Sequence, residues 1–382
     1  MVSVRRHTVK VDEGGCLARI QLTLLLVFAS ISRLAGYRGM QRFTWLLRRF
    51  FSDRNSAIIS DTEKKYKIYL NDGYWALLLH QGFKYEEEVG RILEKVISDN
   101  TTFFDCGANN GYWSVYVAAK IGSPEHVIAV EPTGLPFDRL LENARLNGNS
   151  FRPIKKAVYS QSGLVLRFMT HPQRHAGNSC MDKRGKGQDG AYQIEYIASV
   201  TIDDLFRELL GNFQDTGDVV VKLDVEGAEI EALKGARDLI RGGALFIYEE
   251  HGQDLACRVT DFMLSELGLA VYFLGPNSWP IKVERLSRLV ELKKTESRGY
   301  NLMAAREDSS ILRRVLYEIC EPPRFSLEVR SRRSPDTVSP LLPRNCTDSK
   351  LATDTGSKSG GLTTSGASEG HADAEDRNDK LG

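Results

Sequence analysis

Three short runs in this sequence place acids and glycines at the ends of apolar stretches, an arrangement suited to holding a small polar ligand. The first is Phe103-Phe104-Asp105-Cys106-Gly107-Ala108-Asn109-Asn110-Gly111-Tyr112, where an apolar strand ends in an acid and passes through glycines into a helical pattern. Gly107 and Gly111 let the backbone approach a ligand closely, and a helix starting near Gly111 offers unpaired N–H groups. The pattern is D-x-G-x-N-x-G, so Asn109 stands where a dinucleotide pyrophosphate requires its middle glycine, which argues against NAD. A tight strand-to-helix connection without a ligand would also use these glycines.

The second run, Val127-Ile128-Ala129-Val130-Glu131-Pro132, ends in an acid about 20 residues beyond the glycine turn. A carboxylate at that strand tip is placed to accept hydrogen bonds from two ribose hydroxyls, although a solvated strand end would look the same. The third run is Val219-Val220-Val221-Lys222-Leu223-Asp224-Val225-Glu226-Gly227-Ala228-Glu229. Two-residue spacing puts Lys222, Asp224 and Glu226 on one side if the strand continues that far. Such a cluster either neutralises itself at a strand end or receives a charged cofactor portion or an acceptor hydroxyl.

These runs need a scaffold that brings strand ends together. Apolar runs at 101–104, 126–130, 218–223, 245–248 and 271–274 alternate with helical patterns at 112–120, 137–146, 230–240 and 254–267. That alternation predicts a doubly wound α/β sheet, mostly parallel and covered by helices on both faces. Ahead of it, 65–70 and 74–79 flank Asn71-Asp72-Gly73 and read as a hairpin, followed by a helix over 86–97. Residues 164–170 and 192–201 read as a β excursion or a mobile loop over the site, and Gly177 to Gln193, with the basic Lys183, Arg184 and Lys186, as either a flexible acceptor lid or a solvated surface loop.

Four regions follow: an extension over 1–54, a cap over 55–100, the cofactor-binding domain over 101–306 and a largely disordered tail over 307–382. The tail is rich in Ser, Thr, Gly and charged residues, too poor in apolar side chains to order itself. From Gly14 to Ser52 there is no acid, and arginines alternate with aromatics. That composition fits either an extension packed on the domain or a segment peripheral to a membrane. The apolar run 20–32 is short for a membrane span. Lys plus Arg number 51 against 50 Asp plus Glu, a net charge of +1, so no global field favours nucleic acid. The six cysteines form no C-x-x-C pair, which fits a reducing, cytoplasmic setting.

The runs D-C-G-A-N-N-G-Y-W-S, A-V-E-P and K-L-D-V-E-G-A-E together resemble the FkbM-type S-adenosylmethionine-dependent methyltransferases. Lys84-Tyr85-Glu86, Lys156-Ala157-Val158, Glu249-Glu250-His251 and Tyr300-Asn301-Leu302-Met303 follow in the family's order, so the likeness covers about 65–306. It implies a Rossmann-like class I fold with a seven-stranded sheet and an N-terminal hairpin and helix cap. It also implies S-adenosylmethionine as cofactor and O-methylation of a hydroxyl on a small-molecule or carbohydrate acceptor. By that likeness Asp105, Gly107, Asn109 and Gly111 surround the methionine portion and Glu131 the ribose, while Ala157 and Val158 wall the adenine. Asp224 and Glu226 lie near the reactive methyl, with Glu226 counted among the cofactor contacts. A sulfonium methyl is already activated, so the protein aligns an oxygen and removes its proton, and no metal is required. His251 is the candidate base, since imidazole titrates near physiological pH, with Asp224 or Glu250 to orient it. The competing readings are an NAD-dependent oxidoreductase and a non-catalytic Rossmann-like binding module.

Overall fold

Strand-forming runs and the turns between them divide the chain into an N-terminal β layer, a central sheet and a β excursion. The computed structural model describes residues 7–171, 174–179, 193–212, 217–276, 279–296 and 298–320. The tail beyond 320 and all but the edges of the expected basic loop at 177–193 lie outside these residues.

The N-terminal layer joins β1 (Thr8–Glu13), β2 (Ser56–Ser60) and β3 (Lys65–Tyr69) in an antiparallel sheet, with α1 (Gly15–Ser32) and α2 (Met40–Leu47) between the first two strands. The expected hairpin across Asn71-Asp72-Gly73 does not form, because β3 pairs with β2 instead. Asp72 Oδ1 accepts from the N–H groups of Tyr74 (3.2 Å) and Trp75 (3.3 Å), which starts a helical turn leading into α3 (Leu78–Gln81). A short acid that satisfies backbone donors this way favours a helix start over a strand.

After α4 (Glu87–Val96) the chain enters the central sheet through β4 (Thr102–Cys106), α5 (Tyr112–Ile121), β5 (Val127–Val130), α6 (Gly134–Leu146) and β6 (Arg152–Ile154). The excursion follows as β7 (Ala157–Val158), β8 (Val165–His171), β9 (Arg174–Ser179) and β10 (Gln193–Val200), sheet order β7-β10-β8-β9. The chain returns through α7 (Ile202–Leu210), β11 (Val219–Leu223), α8 (Glu229–Lys234), α9 (Arg237–Arg241) and β12 (Leu245–His251). It ends with α10 (Arg258–Asp261), β13 (Ala270–Phe273), β14 (Ile281–Lys282), α11 (Leu286–Leu292), β15 (Gly299–Ala305) and α12 (Ser310–Cys320), which carries the fold past the expected boundary at 306. The single helix expected over 230–240 is split at Gly235, where a Cβ would meet the Tyr159 carbonyl and the Thr201 side chain.

The central sheet runs β14-β13-β15-β12-β11-β4-β5-β6, the expected seven-stranded sheet with the two-residue β14 added at one edge. Strands β12, β11, β4, β5 and β6 are parallel, and β15 is antiparallel to both neighbours. The fold is therefore Rossmann-like and doubly wound. Phe103, Val220 and Ile247 pack toward α4, α5 and α12, whereas Phe104, Val221 and Phe246 pack toward α7, α8 and α9. The chain builds outward from β4 in one direction and from β11 in the other, so a crevice opens at the carboxyl ends of these two strands.

Candidate active site

Strand pairing sets the centre of that crevice. Asp105 on β4 lies in register with Lys222 on β11, so both side chains leave the same face of the sheet, and both are buried. Lys222 Nζ donates to Asp224 Oδ2 at 3.0 Å, and Ser114 Oγ donates to Asp105 Oδ2 at 2.6 Å. Gly107 has φ of +81°, and a Cβ there would collide with the Asp224 carbonyl oxygen, so only glycine lets the two strand ends come this close. Asn109 (φ 51°) and Glu226 (φ 52°) hold left-handed backbone without being glycine. Such strain costs about 1–3 kcal/mol each and gathers where a site requires it.

Glu131 is fixed from both sides of the crevice. Its Oε2 accepts from the Asn109 N–H at 2.9 Å, and its Oε1 from the Thr133 N–H at 3.0 Å and Oγ1 at 2.6 Å. Glycine turn and second strand are thus joined through one carboxylate. The excursion is tied to the same corner, since Glu195 Oε2 on β10 accepts from the Gly134 N–H at the start of α6 (3.0 Å).

Alternation along β12 decides which of its three polar residues reaches the crevice. Leu245 and Ile247 face the side that Lys222 shares, and Glu249 continues that face into the cleft lining. Glu250 points the other way: its Oε2 accepts from the Thr260 N–H (3.0 Å) and Oγ1 (2.7 Å) beneath the opposite side of the sheet. His251 is exposed, pairs with Gly299 and does not line the cleft. Gly299 makes room for the acid, because a Cβ on it would fall on Glu249 Oε1.

The resulting cleft has three kinds of wall. Tyr74, Trp75, Tyr85, Tyr112 and Trp113 form an aromatic side, with Tyr74 and Tyr85 sharing a hydroxyl hydrogen bond of 2.7 Å. Ala157, Val158, Leu166 and Phe168 form an apolar side supplied by β7 and β8. Asp105, Glu131, Asp224, Glu226 and Glu249 line the floor and rim around Lys222.

Electrostatics follow from that ratio of acids to cations. Burial pushes Glu131 up to about 7, against the hydrogen bonds from Thr133 and Asn109 that favour its charged form. Burial, with Asp224 and Glu86 adding repulsion, pushes Glu249 up to about 8. Burial also raises Asp105, with Lys222 acting in the opposite direction. For Lys222, burial works against the ammonium, but Asp224, Glu86 and Asp105 outweigh it and hold the group charged. Glu86, at the start of α4 with φ of 42°, accepts from Trp113 Nε1 at 3.0 Å. Among the described residues five acidic side chains line the cleft around one ammonium, and although Glu131 and Glu249 keep protons up to about 7 and about 8, the balance stays acidic, which favours a cationic ligand and opposes a pyrophosphate.

The structure thus gathers Asp105, Gly107, Asn109, Glu131, Ala157, Val158, Asp224 and Glu226 in one cleft. Gly111 stands behind the turn as the residue that starts α5, while Glu250 and His251 are directed elsewhere. Sequence reasoning missed Glu249, which the two-residue alternation from Leu245 and Ile247 could have found. It also missed the aromatic side: the rings come from three separate segments, and nothing local marks them as neighbours. Among the described residues, no group of three or more His, Cys, Asp or Glu side chains has metal-binding geometry.

Residues 105–272 match the sequence model of a family described as the methyltransferase FkbM domain. A curated relative, the hexuronic acid methyltransferase AglP of Haloferax volcanii, is 28% identical over 170 residues, or 44% of this chain. The aligned stretch spans 62% of that relative's length. Among solved structures, methyltransferase FkbM from Methylobacillus flagellatus KT is 18% identical with a TM-score of 0.32, covering 62% of this chain and 53% of that one. M. jannaschii TYW2 in complex with AdoMet is 14% identical with a TM-score of 0.33, covering 67% and 87%.

Proposed function

We propose that the FkbM methyltransferase domain at residues 105–272 transfers a methyl group from S-adenosylmethionine to a hydroxyl oxygen of a sugar, glycan or secondary metabolite. The observation that carries this reading is the charge of the cleft. Among the described residues, its five acidic side chains against one ammonium suit a ligand bearing a sulfonium and an ammonium against one carboxylate. The two phosphates of NAD would face the same acids and be repelled, which disfavours the oxidoreductase reading.

When bound, S-adenosylmethionine supplies a methyl group already activated for displacement by its sulfonium. The protein's own residues do the rest. Glu131 would accept hydrogen bonds from the ribose hydroxyls at an oxygen position that Asn109 and Thr133 hold still. Ala157, Val158, Leu166 and Phe168 would cover the adenine, and Asp105 with the Gly107–Asn109 turn would surround the charged amino-acid end. Glu249, pushed up to about 8, has the proton affinity of a general base working near neutral pH. It would take the acceptor hydroxyl's proton as that oxygen forms its bond to the methyl carbon. Tyr74, exposed at the rim beside Trp75, offers ring faces on which the C–H side of a sugar can stack.

The relative named for hexuronic acid methylation supports a carbohydrate acceptor. A screen with methyl-labelled S-adenosylmethionine against neutral glycosides, free hexuronic acids and glycans tests the reading. Label in a product methyl ether supports hydroxyl transfer, label in an ester would redirect it to a carboxylate acceptor, and label in neither class would overturn the carbohydrate assignment.

A further inference from the structure

Helix α1 is apolar on two sides, and the fold uses only one. Ala18, Leu22, Leu25 and Ala29 are buried against the domain. Gln21 locks that side in place: its Nε2 donates to Asn71 Oδ1 at 2.7 Å and its Oε1 accepts from Asn55 Nδ2 at 2.8 Å. On the other side Leu17, Ile20, Leu24, Val27 and Ile31, continued by Leu34 in the 3₁₀ turn just beyond α1, follow one another at intervals of three and four residues, each 40–92% exposed. At 1.5 Å per residue this stripe runs for about 25 Å. An uncovered apolar stripe of that length marks a surface that something else covers.

Charge identifies the occupant. Between Gly14 and Ser52 the chain carries Arg19, Arg33, Arg38, Arg42, Arg48 and Arg49 and no Asp, Glu or Lys. Arg48 pairs with Asp53 just beyond the segment, and a second copy seated on the stripe would bring the other five arginines of each copy together with no acid inside either segment. Lipid phosphates supply the missing negative charge. The segment also exposes Trp45 and Phe50, and the Arg49 guanidinium lies 4.6 Å over the Trp45 ring, a combination suited to the headgroup boundary.

We infer that the outer face of α1, with the arginine-rich segment after it, seats this protein on an anionic lipid surface. The helical stretch Gly15–Ala35 is longer than the expected run 20–32 and is long and apolar enough to cross a membrane, but in this reading it lies in the plane of that surface. Crossing the bilayer would require breaking the Asn71–Gln21–Asn55 bridge and stripping Leu22 and Leu25 from the core. This inference does not depend on the chemistry assigned to the cleft.

The test is sedimentation of the full chain with phosphatidylcholine vesicles and with vesicles containing about a third phosphatidylglycerol, at low and high salt. The expected result is binding to the anionic vesicles alone, weakened about tenfold or more when salt screens the arginines. The pair Leu24→Gln and Ile31→Gln, on the apolar stripe, and the pair Arg42→Gln and Arg49→Gln should each reduce that binding about tenfold or more. Unchanged thermal unfolding would show that these surface variants fold. Equal binding to neutral vesicles, no binding to either kind, or variants that bind as the parent does would overturn the inference. So would a stable dimer that the Leu24 and Ile31 changes dissociate without affecting vesicle binding.

Discussion

The ammonium of Lys222 lies 3.0 Å from Asp224 Oδ2, and in the neighbouring strand Asp105 stands in register with it. One buried cation therefore holds together the acids that two strand ends deliver to the cleft. Replacing it with a neutral side chain of similar length, Lys222→Met, leaves those carboxylates buried without a counter-charge. The expected loss is about 3–5 kcal/mol of stability at neutral pH. Denaturant unfolding should show part of that loss recovered at about pH 5, where buried carboxylates take up protons. An unchanged midpoint at neutral pH would contradict the role given to Lys222.

Gly107 and Gly227 both have positive φ, +81° and +98°, but only Gly107 has backbone in the space its Cβ would fill. Gly227→Ala should cost about 1–2 kcal/mol, the price of the conformation alone. Gly107→Ala should cost more, because the Asp224 carbonyl must also move, and cofactor binding should weaken with it. Parallel thermal melts and binding measurements on the two variants check the order.

Glu249→Gln should lower kcat by about 10²- to 10⁴-fold, with cofactor affinity little changed. His251→Ala should leave kcat near that of the parent, because His251 lies outside the cleft lining. Gly299→Ala should reduce kcat by pushing the Glu249 carboxylate from its place. The kcat of the parent should rise with pH, reach half its maximum near 8 and level off above that, since burial, Asp224 and Glu86 push Glu249 up to about 8 against the pull of Lys222. A flat profile, or a full loss of activity in His251→Ala, would move the base away from Glu249.

Raised carboxylates also link stability to pH. Glu131 and Glu249 keep their protons in the folded state up to about 7 and about 8, whereas in the unfolded chain they release them near 4.5. Their contribution is therefore complete below about pH 4.5 and is lost as pH climbs through the folded values. The ligand-free protein should melt at a lower temperature at pH 8.5 than at pH 6, with a smaller difference in a Glu131→Gln, Glu249→Gln double variant. An equal pH dependence in parent and variant would contradict these assignments.

Much of this arrangement is legible in the residues, for a physical reason. The turn from Asp105 to Gly111, the acid Glu131 after its strand and the Lys222, Asp224, Glu226 series are local, so spacing alone places each at a strand tip. The path between 71 and 81 is ambiguous in the sequence because Asp72 can serve a hairpin or start a helix, and pairing of β3 with a strand upstream decides between them. Glu249 is hard to tell from its two polar neighbours by residue type alone, and the face of β12 set by Leu245 and Ile247 is what singles it out. The outer stripe of α1 was hidden because the helix is apolar almost all round. Only the packing of Ala18, Gln21 and Leu25 shows which side is left over.

The most direct test of the central claim is calorimetric titration of the protein with S-adenosylmethionine, S-adenosylhomocysteine and NAD, beside a Glu131→Ala variant of confirmed fold. The account predicts binding of the first two at about micromolar Kd, none of NAD, and a loss of about tenfold or more in the variant. Binding of NAD alone, binding of none of the three, or equal affinity in parent and variant would contradict it.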